Sequence, residues 1–424
     1  VLPNVLPNVL PKTPLRLAGL PLVCALVAAV SLMASAAPVR GESSAVARAL
    51  ALPQASLLVM DGGRPAIARQ PDRPMVPAST MKLLTALAAI QRWGLAHRFE
   101  TRLLLDGEGR LWVQGGGDPY LVSEELDLMA RAVREAGLTR VAGVGADDSL
   151  FAAGLEIPGR SGSDNPYDAP VTALAVNFNT LNLRVQGGTV ASAEPQTPLT
   201  PLARRLGQGL GKGTQRVNLK DKGLGARYFA EVLGAKLQAA GVEVTGEPRT
   251  GRVPAGAKPL LTYKSSRDLR AMLAPMLEYS NNFVANGLFL KLADRGDGSP
   301  ITLTQAQQTM ARWIDKELHW RDYRVEDGAG LSRGNRLSAR QLVDVLQAFA
   351  PYRDLLPRQG DLIRAKTGTL TGVSAYAGYV SRDGRWTPFS LLINQPVDAG
   401  LRKQVAADLA SAPSLRALCS GPSC

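Results

Sequence analysis

Two hydrophobic periods alternate along the chain and divide it into helix-forming and strand-forming stretches. After Pro77, the apolar positions Met81, Leu84, Leu87, Ala88 and Ile90 recur at helical spacing as far as Gly94, which predicts a mostly buried helix with a proline entry and a glycine exit. The same spacing predicts helices in SEELDLMARAVREAG from Ser123 and GLGARYFAEVLGAKLQAAG from Gly223. It also predicts the pair SSRDLRAMLAPMLEY and NFVANGLFLKLADRG, which meets at Ser280. Strands are predicted for FNTLNLRV from Phe178, VEVTG from Val242, and Val373 to Val380 with Thr387 to Ile393. The last two form a hairpin through Asp383-Gly384. Asn177 and Asn179 read as one polar face of a strand.

Composition changes this picture little. A chain of 424 residues, 45% apolar and 20% charged, is an ordinary globular sequence, long enough for two or three domains. Lys12 and Arg16 precede the apolar run LAGLPLVCALVAAVSLMASA, which closes on Ala34-Ser35-Ala36. Residues 1–36 thus read as a secretory signal, with an uncleaved anchor as the alternative, and the mature protein is expected in the periplasm. Of three cysteines, Cys24 would leave with that segment, so Cys419 and Cys424 either bridge or stay free. A net charge of +13 admits an anionic wall or peripheral membrane contact, or a simple solubilising spread. No dense Lys/Arg run with interleaved aromatics points to nucleic acid.

The two histidines, His97 and His319, lie in no catalytic context, and no His/Cys cluster could hold a metal; no cofactor motif is present. A hydrolase built from this chain would therefore use lysine or a carboxylate as its base. Ser79-x-x-Lys82 is the sole S-x-x-K, and both residues fall on one face of the first predicted helix. Burial there would lower the lysine pKa enough to accept the serine proton; the alternative is an N-capping serine beside a solvated lysine. Lys366-Thr367-Gly368-Thr369 stands before the C-terminal hairpin. Thr367 and Thr369 share one side, Lys366 lies beside them, and Gly368 would let a ligand approach the strand, which together suit a substrate carboxylate. Between these elements lie two S-x-N matches. Ser163-Asp164-Asn165 sits in the loop PGRSGSDNPYDAP, whereas Ser280-Asn281-Asn282 sits at a helix junction, a rigid mount that favours Ser280 and Asn282 as the functional pair.

The ordered set Ser79-x-x-Lys82, Ser280-x-Asn282, Lys366-Thr367-Gly368 resembles the penicillin-recognising serine enzymes. GGGDPYL from Gly115, ADDSLF from Ala146, YDAPVTALAVNFNTLNLRV from Tyr167 and DGAGLSRGNRLSARQL from Asp327 look like the DacB-type D-alanyl-D-alanine carboxypeptidases and endopeptidases, class C penicillin-binding proteins. The resemblance implies an α/β (α+β) fold. Its core would be transpeptidase/β-lactamase-like, a five-stranded antiparallel sheet flanked by helices, formed by residues 42–91 and 262–424. Residues 92–261 would form an inserted α/β region.

It further implies that Ser79 attacks the D-Ala-D-Ala carbonyl with Lys82 as base, and that the Ser79 and Thr369 amides form the oxyanion hole. Ser280 would relay a proton to the leaving amine and Asn282 would orient the peptide, while Lys366, Thr367 and Thr369 bind the terminal carboxylate. Asp147, at the cleft rim, would read the amino group of the stem-peptide diamino acid, with a turn role for it or Asp148 as the alternative. The Asp327 segment would support turns near the cleft. The implied partners are peptidoglycan peptides and, as covalent inhibitors, β-lactams. A serine β-lactamase and a non-catalytic wall-binding module remain as alternatives.

Overall fold

The computed structural model describes residues 43–419. Its central feature is an antiparallel six-stranded sheet drawn from both ends of that stretch. Ala55–Asp61 and Arg64–Arg69 come from the beginning; Arg358–Gln359, Ile363–Leu370, Val373–Arg382 and Arg385–Ile393 come from the end. Ala55 lies opposite Ile393 and Val59 opposite Phe389, so the two ends of the fold are joined by backbone pairing. Against the expected five strands, the sixth is the two-residue edge Arg358–Gln359, too short to leave a periodic signal.

Strand periodicity explains the layers. Leu57 and Val59 face one side, where they pack with Val46 of the helix Ala45–Leu50 and with Val405 and Leu409 of the helix Leu401–Ser411. Leu58 and Met60 face the other, against Ala339 and Val343 of the helix Ala339–Phe349. Both faces are apolar because both are covered, and each buried aliphatic side chain contributes about 1.5–3 kcal/mol. The largest core lies on this second side and joins Leu84 and Leu87 of the helix Met81–Trp93 to Leu273, Leu277 and Leu288 of the helices Leu269–Glu278 and Asn282–Lys291.

The segment 92–261 has a core of its own. The helices Ser123–Glu135 and Lys222–Ala239 pack on a five-stranded sheet in the order Arg249–Thr250, Val144–Asp147, Leu111–Gln114, Glu100–Leu105, Lys258–Lys264. A smaller sheet holds Thr180–Gln186 between Thr189–Ser192 and Gly213–Asn218. The strand Lys258–Lys264 runs past residue 261, and residues 43–419 pack as one compact unit.

Asn177 and Asn179 do not lie on a strand face. With Phe178 they form a left-handed turn, φ 51°, 60° and 54°. Asparagine tolerates this region best, and here its amides satisfy buried groups: Ser123 N donates to Asn177 Oδ1 at 3.0 Å and Asn179 Nδ2 donates to Pro170 O at 2.8 Å.

Cys419 is disulfide-bonded, while Cys24, Cys424 and the expected signal 1–36 lie outside the described residues. Among the described residues no helix is long and apolar enough to cross a membrane, and no group of His, Cys, Asp and Glu is arranged to hold a metal.

Candidate active site

Ser79 sits in a single 3-10 turn, Ala78–Thr80, that leads directly into the helix Met81–Trp93. The turn is tight: Ala78 has φ 46° and the Thr80 hydroxyl donates to Pro77 O at 2.7 Å. Gly330 packs against it so closely that a methyl group at that position would stand 1.9 Å from the Ala78 carbonyl oxygen. Only glycine fits there, and its φ of 80° reinforces the requirement.

Lys82, one turn along, is completely buried. Its Nζ lies 2.7 Å from Asn282 Oδ1, 2.8 Å from Ala329 O and 3.1 Å from Ser79 Oγ. Burial drives its pKa well below that of an ordinary lysine, and the Lys366 charge pushes the same way; the Asp327 charge opposes both. A neutral amine has two hydrogens and one lone pair. The two shorter contacts take the hydrogens, which leaves the lone pair for the Ser79 proton.

The second element is built by three consecutive residues with different jobs. Ser280, φ 56°, makes the left-handed turn between the two helices. Asn281 caps the second helix by accepting from Val284 N at 3.0 Å. Asn282 opens that helix and reaches Lys82, and its Nδ2 donates to Tyr167 O at 3.1 Å. The Ser280 hydroxyl engages no partner among the described residues.

The third element is the strand Ile363–Leu370 itself, ahead of the hairpin. Lys366 is buried, donates to Thr367 O at 2.9 Å and is pushed down to about 8 by burial and by Arg402, against the pull of Glu278. Gly368 also answers a steric demand within the protein. A Cβ there would lie 2.8 Å from Pro77 O and 3.0 Å from Ser79 N, so it is the nucleophile turn that comes up against the strand. The cation at the Thr369 hydroxyl is Arg402 of the C-terminal helix, whose Nη1 donates to Gly368 O and to Thr369 Oγ1, both at 2.7 Å. Lys366 alternates to the opposite face from Thr367 and Thr369. Sequence reasoning missed Arg402, since nothing local marks it.

Asp327 explains how Ala329 O reaches Lys82. Its buried carboxylate accepts from the amides of Ala329, Gly330, Leu331 and Ser332 at 2.8–3.1 Å and from Asn335 Nδ2 at 2.7 Å. This folds DGAGLS into a loop over Ser79. Asp327→Asn leaves the two donors on Oδ2 without an acceptor, at about 1–3 kcal/mol for each one buried unpaired. It also removes a negative charge that raises the Lys82 pKa. The acid limb of acylation is therefore expected to move to lower pH while the melting temperature falls; rates measured across pH, with thermal melts, check both.

One expected role does not match the structure. Asp147 is not on the rim: it is 2% exposed, and its two oxygens accept from Ser149 N and Val253 N, each at 2.9 Å. It ends the strand Val144–Asp147 as a turn-forming residue, and neighbouring Asp148 is pushed up by burial and by the Asp147 charge, against Lys222. The Ser163 hydroxyl, as expected, is not part of the catalytic group. It donates to Asp168 Oδ2 at 2.6 Å inside its own loop. Burial raises the Asp168 pKa, but bonds from Ser161 and Ser163 outweigh it and leave the carboxylate low and ionised.

This arrangement has counterparts. At 27% identity the chain is similar to a D-alanyl-D-alanine carboxypeptidase of Actinomadura sp. (strain R39), over 78% of this chain and 76% of that one. It is also 27% identical to carboxypeptidase DacB of Mycolicibacterium smegmatis, over 85% and 81%. The crystal structure of penicillin binding protein 4 (dacB) from Haemophilus influenzae shares the fold, with TM-score 0.68 at 21% identity over 84% of this chain and 95% of that one. The family model for D-Ala-D-Ala carboxypeptidase 3 (S13) matches residues 46–203, 221–357 and 355–412. Nucleophile turn, buried amine and strand all fall within those matches, and the chain belongs to the D-Ala-D-Ala carboxypeptidase 3 (S13) family, as a serine-type D-Ala-D-Ala carboxypeptidase.

Proposed function

We propose that the chain trims and also opens peptidoglycan stem peptides in the periplasm, through an acyl-enzyme on Ser79. The observation that carries this reading is the buried Lys82 amine, held by Asn282 Oδ1 and Ala329 O with Ser79 Oγ at its remaining site. Ser79 Oγ attacks the carbonyl carbon of the D-Ala-D-Ala bond and its proton passes to Lys82 Nζ. The amides of Ser79 and Thr369 stabilise the oxyanion. As the C–N bond breaks, Ser280 hands its proton to the leaving amine and takes up the one held on Lys82 Nζ, so that both side chains return to their starting state. Water then attacks the ester, releasing the shortened peptide as a carboxylic acid and restoring the Ser79 hydroxyl.

Thr367, Thr369 and Arg402 receive the terminal carboxylate, with Lys366 as the charge on the strand face turned toward Ser79 and Lys82. A β-lactam presents the same carbonyl and carboxylate and leaves an ester whose amine cannot depart, so it inactivates the enzyme. Similarity to an endopeptidase seen acylated by penicillin G, with TM-score 0.50, supports the fold on which this rests.

Purified muropeptides and mass spectrometry test the proposal. The expected products are loss of one D-alanine from pentapeptide monomers and monomers released from cross-linked dimers. Rapid, repeated turnover of a cephalosporin with both peptides left intact would make the protein a β-lactamase instead.

A further inference from the structure

We propose that the cleft carries a second binding site beside Ser280, an aromatic subsite for the peptide strand attached to the leaving amine of a cross-link. This rests on the reading of Ser280 as the group that protonates that amine. A cavity of about 570 Å³ opens along Ser280-Asn281-Asn282. Pro275 and Tyr279 form its wall on the catalytic side; Tyr120, Tyr167, Phe178 and Arg216, all from the inserted segment, form the other.

Three separate observations mark this cavity as built for a ligand. Among the described residues three large apolar side chains are exposed, and two of them, Tyr167 at 56% and Tyr279 at 73%, stand on it. Aromatic surface held in water at one opening is the signature of a binding face. The second observation is backbone strain. Phe178, at φ 60°, has no polar side-chain atom to compensate for a left-handed conformation, unlike the asparagines on either side. That turn aims its ring into the cavity, edge-on to Tyr120 at 5.1 Å and to Phe283 at 6.2 Å. The third is coupling to the chemistry: the Tyr167 carbonyl accepts from the side chain of Asn282, the residue that touches Lys82.

The two ends of the leaving residue select the occupant. Its carboxylate is held at Thr367, Thr369 and Arg402 and its nitrogen at Ser280, so whatever its α-carbon carries has to leave the cleft past Ser280. For a terminal D-alanine that is a methyl group. Cavities of roughly 300–1,000 Å³ hold drug-sized ligands, far more than a methyl fills. In a cross-link the leaving residue carries the rest of a second stem peptide through an aliphatic side chain. Aromatic faces suit that chain, and Arg216, held by Glu194, offers a cation to the strand's carboxylates. The inserted segment thus contributes recognition rather than catalysis.

Tyr279→Ala is the test. The side chain is exposed and its hydroxyl has no partner among the described residues, so the fold does not depend on it. Wild type, Tyr279→Ala and Tyr279→Phe are compared on a cross-linked dimeric stem peptide and on a monomer ending in D-Ala-D-Ala, with fluorescent penicillin reporting acylation. For Tyr279→Ala the expected result is a rise in KM for the dimer of about ten-fold, with monomer cleavage and labelling unchanged; Tyr279→Phe retains wild-type behaviour. An equal loss on both peptides, or no loss on either, overturns the subsite. So does a wild-type enzyme that trims the monomer and leaves the dimer whole, although that outcome spares the carboxypeptidase. A wild type that takes no label and cuts neither peptide overturns the reading of Ser79 and Ser280, and the subsite with it.

Discussion

Replacing Lys82 with methionine is expected to slow acylation by a penicillin about 10²–10⁴-fold, the range that a positioned general base supplies. Methionine keeps the length and apolar stem of the side chain, so the surrounding core is preserved while the amine is lost. What disappears is the one group beside Ser79 Oγ that can take its proton: in the structure Lys82 Nζ is 3.1 Å away, and neither histidine belongs to the site. The pH dependence makes a second, independent test. The folded protein holds Lys82 neutral far below 10.5, while the unfolded chain holds it charged. Between the lowered value and 10.5 the unfolded state therefore binds more protons, and this residue makes stability rise with pH. Lys82→Met should lose that slope and, toward lower pH, become more stable relative to wild type, even as it stops reacting. Stopped-flow labelling and thermal melts across pH measure the two effects. Acylation within ten-fold of wild type would show that the proton goes elsewhere.

The parts of this site that could be read from the sequence are those in which the chemistry sits on neighbouring residues of one element. Ser79 and Lys82 share a helix face, and Lys366 to Thr369 lie along one strand, so their spacing carries the information. Ser280 could be told from Ser163 by context, because a helix junction and a Gly/Pro-rich loop differ in composition. Asp327 was legible only as a turn: its charge and the Ala329 carbonyl that it positions both act on Lys82 across the fold, which no local pattern encodes. Arg402 reaches the Thr369 hydroxyl from a helix that follows the sheet, a meeting set by sheet closure.

Asp147 shows the converse. A motif position singled it out along the chain, yet two backbone amides absorb its carboxylate, and burial of this kind depends on where the loop near Val253 comes to lie. The Asn177 and Asn179 alternation failed for a physical reason as well. A period of two also results when asparagines flank a left-handed residue, and only the apolar neighbours on both sides would have warned against a strand.

Gly368→Ala is expected to cost about 10²–10³-fold in acylation, close to the loss of one oxyanion-hole donor. The backbone at Gly368 does not have positive φ, so alanine meets no torsional penalty there and the whole effect is steric. The new methyl would stand 2.8 Å from Pro77 O, 3.0 Å from Ser79 N and 3.1 Å from Ala375 Cβ. The first two are backbone atoms and cannot swing aside as a side chain could. Either the strand or the nucleophile turn has to retreat, which separates the Ser79 amide from the Thr369 amide one residue further on. A misplacement of about 1 Å in such a pair is enough for ~100-fold. Lys82 and Asn282 are untouched by the change, so the pH dependence of the residual rate should match wild type. Gly384→Ala supplies the contrast. It sits at the hairpin tip with φ 74° and nothing within 4 Å of its added methyl. That substitution should cost about 1–2 kcal/mol of stability through backbone strain and leave acylation at the wild-type rate. If Gly368→Ala instead behaves like Gly384→Ala, losing stability but not rate, the close approach of strand and nucleophile turn has no part in catalysis.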